Sequence, residues 1–190
     1  MAELNAQRIA YGPAQGDAAL EKILTLQAEN LRGTLTPEHQ SAQGFLTFRY
    51  DLPLLQRMNN ALPHVVAATD TQLAGYALST TPEICRENPL LRPLVERLDG
   101  LVFGGKPFAE RRFYVMGQIC VAEGFRGQGV FDGLYQTHQA LYDTQFDCLV
   151  TEISLQNTRS LAAHRRVGFE VIDEVQDAAD RWAVVMWNWA

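Results

Sequence analysis

Six consecutive residues, Arg126-Gly127-Gln128-Gly129-Val130-Phe131, have the composition of a phosphate cradle. Glycines at 127 and 129 let the backbone approach a ligand closely and turn successive N–H groups toward one point. The stretch before them, Phe113 to Val121, reads as a strand. The stretch after them reads as a helix with Val130, Leu134, His138, Leu141 and Tyr142 along one stripe. A helix start adds unpaired N–H groups and the positive end of its dipole, and Arg126 can add a charge-assisted hydrogen bond. Together these suit a pyrophosphate. Two other readings compete: a glycine-rich turn without a ligand, and a dinucleotide fingerprint. The second is suggested by Gly127-x-Gly129-x-x-x-Gly133 with Glu152 about 20 residues further on. Against it, no parallel strand–helix series continues after the motif.

Further residues with chemical capacity follow the loop. Glu152 stands near the C-terminal end of a predicted strand, Cys148 to Ile153, the end at which ligands collect in open α/β sheets. It is a candidate general base, or else a carboxylate paired with Arg159 or Arg165. His164 lies on the stripe Ser160, Leu161, His164 and Val167 of a predicted helix from Asn157 to Val167. Its ordinary pKa of about 6.5 leaves a minority protonated at pH 7, so it is either an acid with a raised pKa or a packed, hydrogen-bonded residue. Asn157 suits the helix N-cap, and Gly168 the left-handed residue that ends the helix.

The elements that must position these groups run the length of the chain without a linker or repeat. Arg8 to Tyr11 reads as a first strand closed by Gly12-Pro13. Asp17 is a candidate N-cap for a helix carrying Leu20, Ile23, Leu24 and Leu31. Helices are expected over Pro37 to Phe48 and Asp51 to Asn60. His64 to Ala68 and Leu73 to Ser79 read as a hairpin, and Phe169 to Val175 with Trp182 to Trp189 as a second. The connection 81–111 has a helical pattern (Leu91, Leu94, Val95, Leu98) and reads as an insertion able to act as a lid. Its arginines, Arg86, Arg92 and Arg97, are candidates to shape an acceptor site.

With 190 residues, 47% of them apolar, the chain suits one soluble domain. A net charge of −6 disfavours nucleic acid as a partner and is compatible with a cationic substrate. Cys85, Cys120 and Cys148 are odd in number and far apart, with no metal-ligand spacing. Met1 to Gln15 lacks a basic start followed by an apolar run, and no apolar stretch is long enough to span a bilayer. The expectation is a cytoplasmic protein with reduced thiols, no metal and no membrane partner.

At this point the sequence resembles the GCN5-related N-acetyltransferase superfamily. The superfamily signature Arg/Gln-x-x-Gly-x-Gly/Ala follows its fourth strand, here as Arg126-x-x-Gly129-x-Phe131. Asn157, Ser160, His164 and Gly168-Phe169 stand at the offsets of its downstream pattern, and Leu73-Ala74-Gly75-Tyr76-Ala77 looks like its third strand. Phe131 replaces the usual Gly or Ala, and His164 the frequent Tyr. The resemblance implies a single-domain α/β (α+β) fold, a mixed and mostly antiparallel sheet flanked by helices. It implies acetyl-CoA or another acyl-CoA as co-substrate and transfer of the acyl group to an amine.

Carried over residue by residue, the resemblance implies that Ile119, Cys120 and Val121 hold the pantetheine arm by backbone groups. The Val121 N–H would face the thioester oxygen. Arg126 through Phe131 would hold the pyrophosphate, with Asn157 and Ser160 beside the arm. Glu152 resembles the base of the ribosomal-protein N-terminal acetyltransferases, whose proton donor lies at the position of His164. A module that binds acyl-CoA without turnover is the alternative, and a homodimer is compatible with either.

Overall fold

β-branched and aromatic runs broken by glycine and proline build one seven-stranded sheet. In the computed structural model, which describes residues 8–190, its strands are β1 (Ala10–Pro13), β2 (Val65–Ala68), β3 (Leu73–Thr80), β6 (Phe113–Val121), β7 (Cys148–Ser154), β8 (Glu170–Gln176) and β9 (Arg181–Asn188). They are ordered β1-β2-β3-β6-β7-β9-β8, and β4 (Val102–Phe103) and β5 (Lys106–Pro107) form a separate two-stranded ribbon. Every pairing in the main sheet is antiparallel except β6–β7. This is the expected mixed sheet, and it departs from the parallel series a dinucleotide fold requires. The first seven residues, which carry part of the leader reading, lie outside the described residues.

Helices cover both faces. On one face α1 (Gly16–Asn30), α3 (Leu52–Ala61), α4 (Pro82–Glu87) and α5 (Arg92–Asp99) bury Leu20, Ile23, Leu55, Met58, Val95 and Leu98 against Tyr76, Leu78, Val115 and Val150 of the sheet. On the other, α6 (Val130–Tyr142) and α7 (Thr158–Val167) bury Leu134, Tyr135 and Leu161 against Tyr114, Met116, Leu149 and Val185. Among the described residues no helix is long and apolar enough to cross a membrane.

Several boundaries differ from the sequence expectation. The helix expected over 37–48 ends early: α2 covers Pro37–Gln43, because Gly44 turns to φ +78° and the chain runs on without helix. A side chain at Gly44 would also meet Asn157 Oδ1 at 2.9 Å. Asp17 is not the cap of α1. Gln15 holds that position without a side-chain bond, and Asp17 in the first turn accepts from Gln56 Nε2 at 2.9 Å. Leu31 lies beyond the helix, and Gln27 and Asn30 complete the buried face instead.

The segment 81–111 is not a loose lid. Ile84, Cys85, Leu91, Leu94, Val95, Leu98 and Phe108 belong to the main core, and Arg97 is ion-paired with Asp173 of β8. If it is core, Leu98→Ala should cost about 2–5 kcal/mol of global stability with one cooperative transition in urea. A lid would instead give an early separate transition with the main midpoint unchanged.

Candidate active site

The site begins with a break in the sheet. β6 and β7 pair only at Phe113↔Cys148, Tyr114↔Leu149 and Val115↔Val150. Beyond that point β6 shifts register against β3, with Leu78 opposite Gln118 but Ser79 opposite Met116, leaving Gly117 as the extra residue of a bulge. A bulge bends its strand, and here β6 leaves β7, with Thr151 Oγ1 on Met116 C=O (2.8 Å) as a last tether. Only glycine fits at 117, because a Cβ would lie 2.9 Å from the Tyr50 hydroxyl, which donates to Gly117 C=O at 3.0 Å. Sequence reasoning missed both residues, although a glycine inside a strand pattern is a recognised bulge signal.

The break leaves a backbone edge without a neighbouring strand. Ala122 N–H donates to Ala74 C=O at 2.9 Å, so by antiparallel alternation Cys120 bonds with Tyr76 while Ile119 and Val121 turn their N–H and C=O groups away from β3. These groups face a cleft of about 570 Å³ lined also by Phe45, Leu46, Arg126, Gly129, Phe131 and Asn157. Cys120 itself points into the core, where burial pushes its thiol up to about 12, so it is not a nucleophile at neutral pH.

At the end of this edge the loop turns into α6. Gly127 (φ +74°) and Gly129 (φ +78°) hold conformations that side chains rarely adopt, and nothing lies within 4 Å of where a Cβ would stand on either. The first turn of α6 closes from Gly133 N–H to Gly129 C=O at 2.9 Å. The amides of Val130, Phe131 and Asp132 therefore have no carbonyl within the helix and are available to an anion. A Cβ at Gly133, the third glycine of the dinucleotide-like pattern, would lie 2.5 Å from the exposed Tyr11 ring, which would have to swing aside.

The Arg126 guanidinium is already engaged, by Asn30 Oδ1 (2.7 Å), Gln43 Oε1 (3.3 Å) and Val121 C=O (3.2 Å). It braces the loop against α1 and α2. Gln128 Nε2 closes the loop on Gly124 C=O at 2.8 Å. The Phe131 ring turns back from the amides and packs edge-on against Tyr135 and His164 (centroids 5.1 and 5.2 Å).

Through the gap between the strands, a second cavity of about 80 Å³ adjoins the cleft and shares Phe45, Leu46, Ile119, Asn157 and Ser160 with it. Glu152 lines this cavity. Among the described residues it has no hydrogen bond and no ion pair, so the expected alternative of a pair with Arg159 or Arg165 is not realised. Arg159 bonds Ala42 C=O instead. Burial pushes the Glu152 carboxyl up to about 7, and the Asp177 carboxylate adds to the rise. A carboxyl titrating there is matched to proton transfer at neutral pH.

His164 needs a correction. Its Nδ1 lies 2.7 Å from Ser160 C=O, which can only accept, so Nδ1 carries the proton. Nε2 then accepts from the Tyr135 hydroxyl at 2.7 Å. Burial pulls the imidazole down to about 4. A neutral ring with both nitrogens engaged is unsuited to giving a proton to a leaving group. Asn157 caps α7, with Oδ1 accepting from Ser160 N–H (3.2 Å) and Nδ2 donating to Phe45 C=O (2.9 Å). Its cap role is realised, and its side chain is spent on the scaffold of the cleft. The arginines of 81–111 contribute little to this cavity, whose walls take Leu91 and Leu94 from that segment instead.

No family model matches the chain, and no curated protein sequence matches it. Solved structures do. The ribosomal-protein-S18-alanine N-acetyltransferase from Escherichia coli superposes with a TM-score of 0.64 at 9% identity, over 96% of this chain and 95% of that one. An Arabidopsis thaliana protein in complex with the bisubstrate analogue CoA-Ac-MVNAL gives 0.61 at 13% identity, over 94% and 97%. The yncA protein from Salmonella typhimurium, with its cofactor acetyl-CoA, gives 0.57 at 14% identity, over 96% and 94%. At such identities the likeness establishes the fold.

The burial of Glu152 has a consequence for stability. Its folded pKa of about 7 lies above the ordinary unfolded value, so the folded state holds a proton that the unfolded state has lost. Stability from this group is present below about pH 4.5 and is lost as pH rises through 7. Glu152→Gln should therefore be more stable than the parent at pH 8, with the difference vanishing near pH 4. Urea midpoints at the two pH values check this.

Proposed function

We propose that this chain, which has the fold of the GCN5-related N-acetyltransferases, is an acyl-CoA-dependent N-acyltransferase that transfers acetyl from acetyl-CoA to a primary amine. One observation carries the reading. A backbone edge, Ile119 to Val121, without a neighbouring strand and with its Val121 C=O taken by Arg126, runs from a glycine cradle at a helix start to a cavity whose carboxyl, unpaired among the described residues, titrates near neutrality. The fit to acyl-CoA rests on this chain's own groups. Amides 130–132 and the open glycines suit a pyrophosphate, and the unpaired edge suits an amide-bearing arm laid along it like a strand.

In this reading acyl-CoA supplies an activated thioester. The amine nitrogen attacks its carbonyl carbon, the C–S bond breaks, and the nitrogen's proton passes to Glu152. The Ile119 N–H, on the edge where the cleft adjoins the Glu152 cavity, stabilises the oxygen charge that develops in between, since Val121 lies at the cradle end. CoA leaves as a thiolate, which with an ordinary thiol pKa of about 8.5 needs no proton donor. His164, held by Tyr135 and Ser160, shapes the wall between α6 and α7. The cytoplasm, where acetyl-CoA and reduced thiols coexist, is the proposed location, in keeping with three buried free cysteines.

A second reading is favoured by Phe131 and Arg126: a large ring stands where the superfamily carries Gly or Ala, and the loop arginine is committed to Asn30 and Gln43. This is the acyl-CoA-binding module without turnover. Thiol release across an amine panel separates the two.

Acetyl-CoA should raise the Tm while NAD leaves it unchanged, and Gly129→Val should abolish most of that rise, because a β-branched residue is strained at φ +78°. An unaltered rise would make the loop a plain turn. Glu152→Gln should lower kcat by about 10²–10⁴-fold with little change in acetyl-CoA affinity. His164→Phe should lower the Tm without altering how kcat depends on the acidity of the leaving thiol. A steeper dependence would restore a proton-transfer role.

A further inference from the structure

The side chains lining the second cavity are nearly all committed elsewhere. Gln118 accepts from the Tyr76 hydroxyl (2.6 Å) and donates to Phe48 C=O (2.8 Å). Thr151 Oγ1 is on Met116 C=O, and Ser154 Oγ donates to Asp180 Oδ2 at 2.7 Å. Trp182 Nε1 donates to Asp177 Oδ2 at 3.0 Å, and the indole stacks on Phe48 with the rings 10° from parallel. Asn157 and His164 are engaged as described above, whereas Ser160 Oγ lies 3.4 Å from a His164 Nδ1 that already donates to Ser160 C=O, so its own proton is not taken by that ring. Apart from the exposed Thr47 at the rim, the Ser160 hydroxyl and the Ile119 backbone groups on the side toward the cleft, Glu152 is the polar group left for a ligand. Around it stand Leu91, Leu94, Phe48, Ile119 and Trp182.

We infer that the acceptor is a primary monoamine on a short hydrocarbon group, with the nitrogen at Glu152 and the hydrocarbon between Phe48, Trp182, Leu91 and Leu94. This deepens, and rests on, the acyltransferase reading. A carboxylate or second ammonium brought between Phe48, Trp182, Leu91 and Leu94 would lose water and find no partner on those four side chains, and a buried polar group left unpaired costs far more than a methylene gains. The size agrees. About 80 Å³ holds a few carbons and is well below the volume of a pocket for a drug-sized molecule.

The test compares pentylamine with norleucine, which adds one carboxylate beside the same amine, and with 1,5-diaminopentane, which adds a second ammonium. Binding is measured by calorimetry on the protein saturated with CoA, and thiol release is then followed with acetyl-CoA. Pentylamine should bind about 10–100-fold more tightly than either analogue. Phe48→Ala should weaken pentylamine binding while leaving norleucine unchanged. Norleucine or the diamine binding as well as pentylamine would overturn the assignment, as would no binding by any of the three. Tight, selective pentylamine binding without thiol release would uphold the site and overturn the acyltransferase reading instead.

Discussion

The bulge at Gly117 is the constraint on which the rest depends. A continuous β6–β7 ladder would satisfy every backbone group between the two strands and leave no cleft. One extra residue in β6 ends the ladder after Val115, and the Ile119 N–H and C=O and the Val121 N–H are left facing the cleft, while Arg126 takes the Val121 C=O. Such unpaired groups are costly when buried and are tolerated where a ligand or water can meet them. The Tyr50 hydroxyl stands where any side chain at 117 would lie, so the bend is held from outside the sheet by a residue from the loop before α3.

Charge is arranged around this cleft by burial more than by ion pairs. Among the described residues Glu152 has no countercharge, and loss of water lifts its carboxyl toward neutrality. His164 experiences the same loss, which keeps a base neutral just as it keeps an acid protonated. The ion pairs of the molecule, such as Arg166–Asp132 and Arg112–Asp147, have their arginine ends exposed and contribute little to stability. The exception in burial is Asp180, whose carboxylate is closed in by Arg32, Ser154 and Gln156, and which pins the start of β9 to the end of β7.

The segment 81–111 gives this scaffold its particular acceptor side. Its apolar residues enter the same core as α1 and α3, so Leu91 and Leu94 stand at fixed positions beside Glu152. The cleft's other wall is the extended stretch 44–48, held by Asn157 at Phe45 C=O and by Gln118 at Phe48 C=O. Both walls are thus tied to the sheet at the point where it opens.

Local patterns carried much of this organisation. Alternating apolar runs marked the strands, periodicity marked α6 and α7, and two glycines with a following helix marked the cradle, because φ > 0 and helix termini have signatures a few residues long. Asn157 and Gly168 were legible as caps for the same reason. What the sequence could not decide depended on residues far apart in the chain. Where the Glu152 carboxyl titrates, whether Arg126 faced outward, and whether His164 kept a free nitrogen were decided by burial with Asp177, by Asn30 and Gln43, and by Tyr135 with Ser160. The early end of α2 was written in Gly44, yet the need for it came from Asn157, 113 positions later. Backbone conformation is a local property and can be read from neighbours in sequence. Protonation and hydrogen-bond commitment belong to neighbours in space, and only the folded chain brings those together.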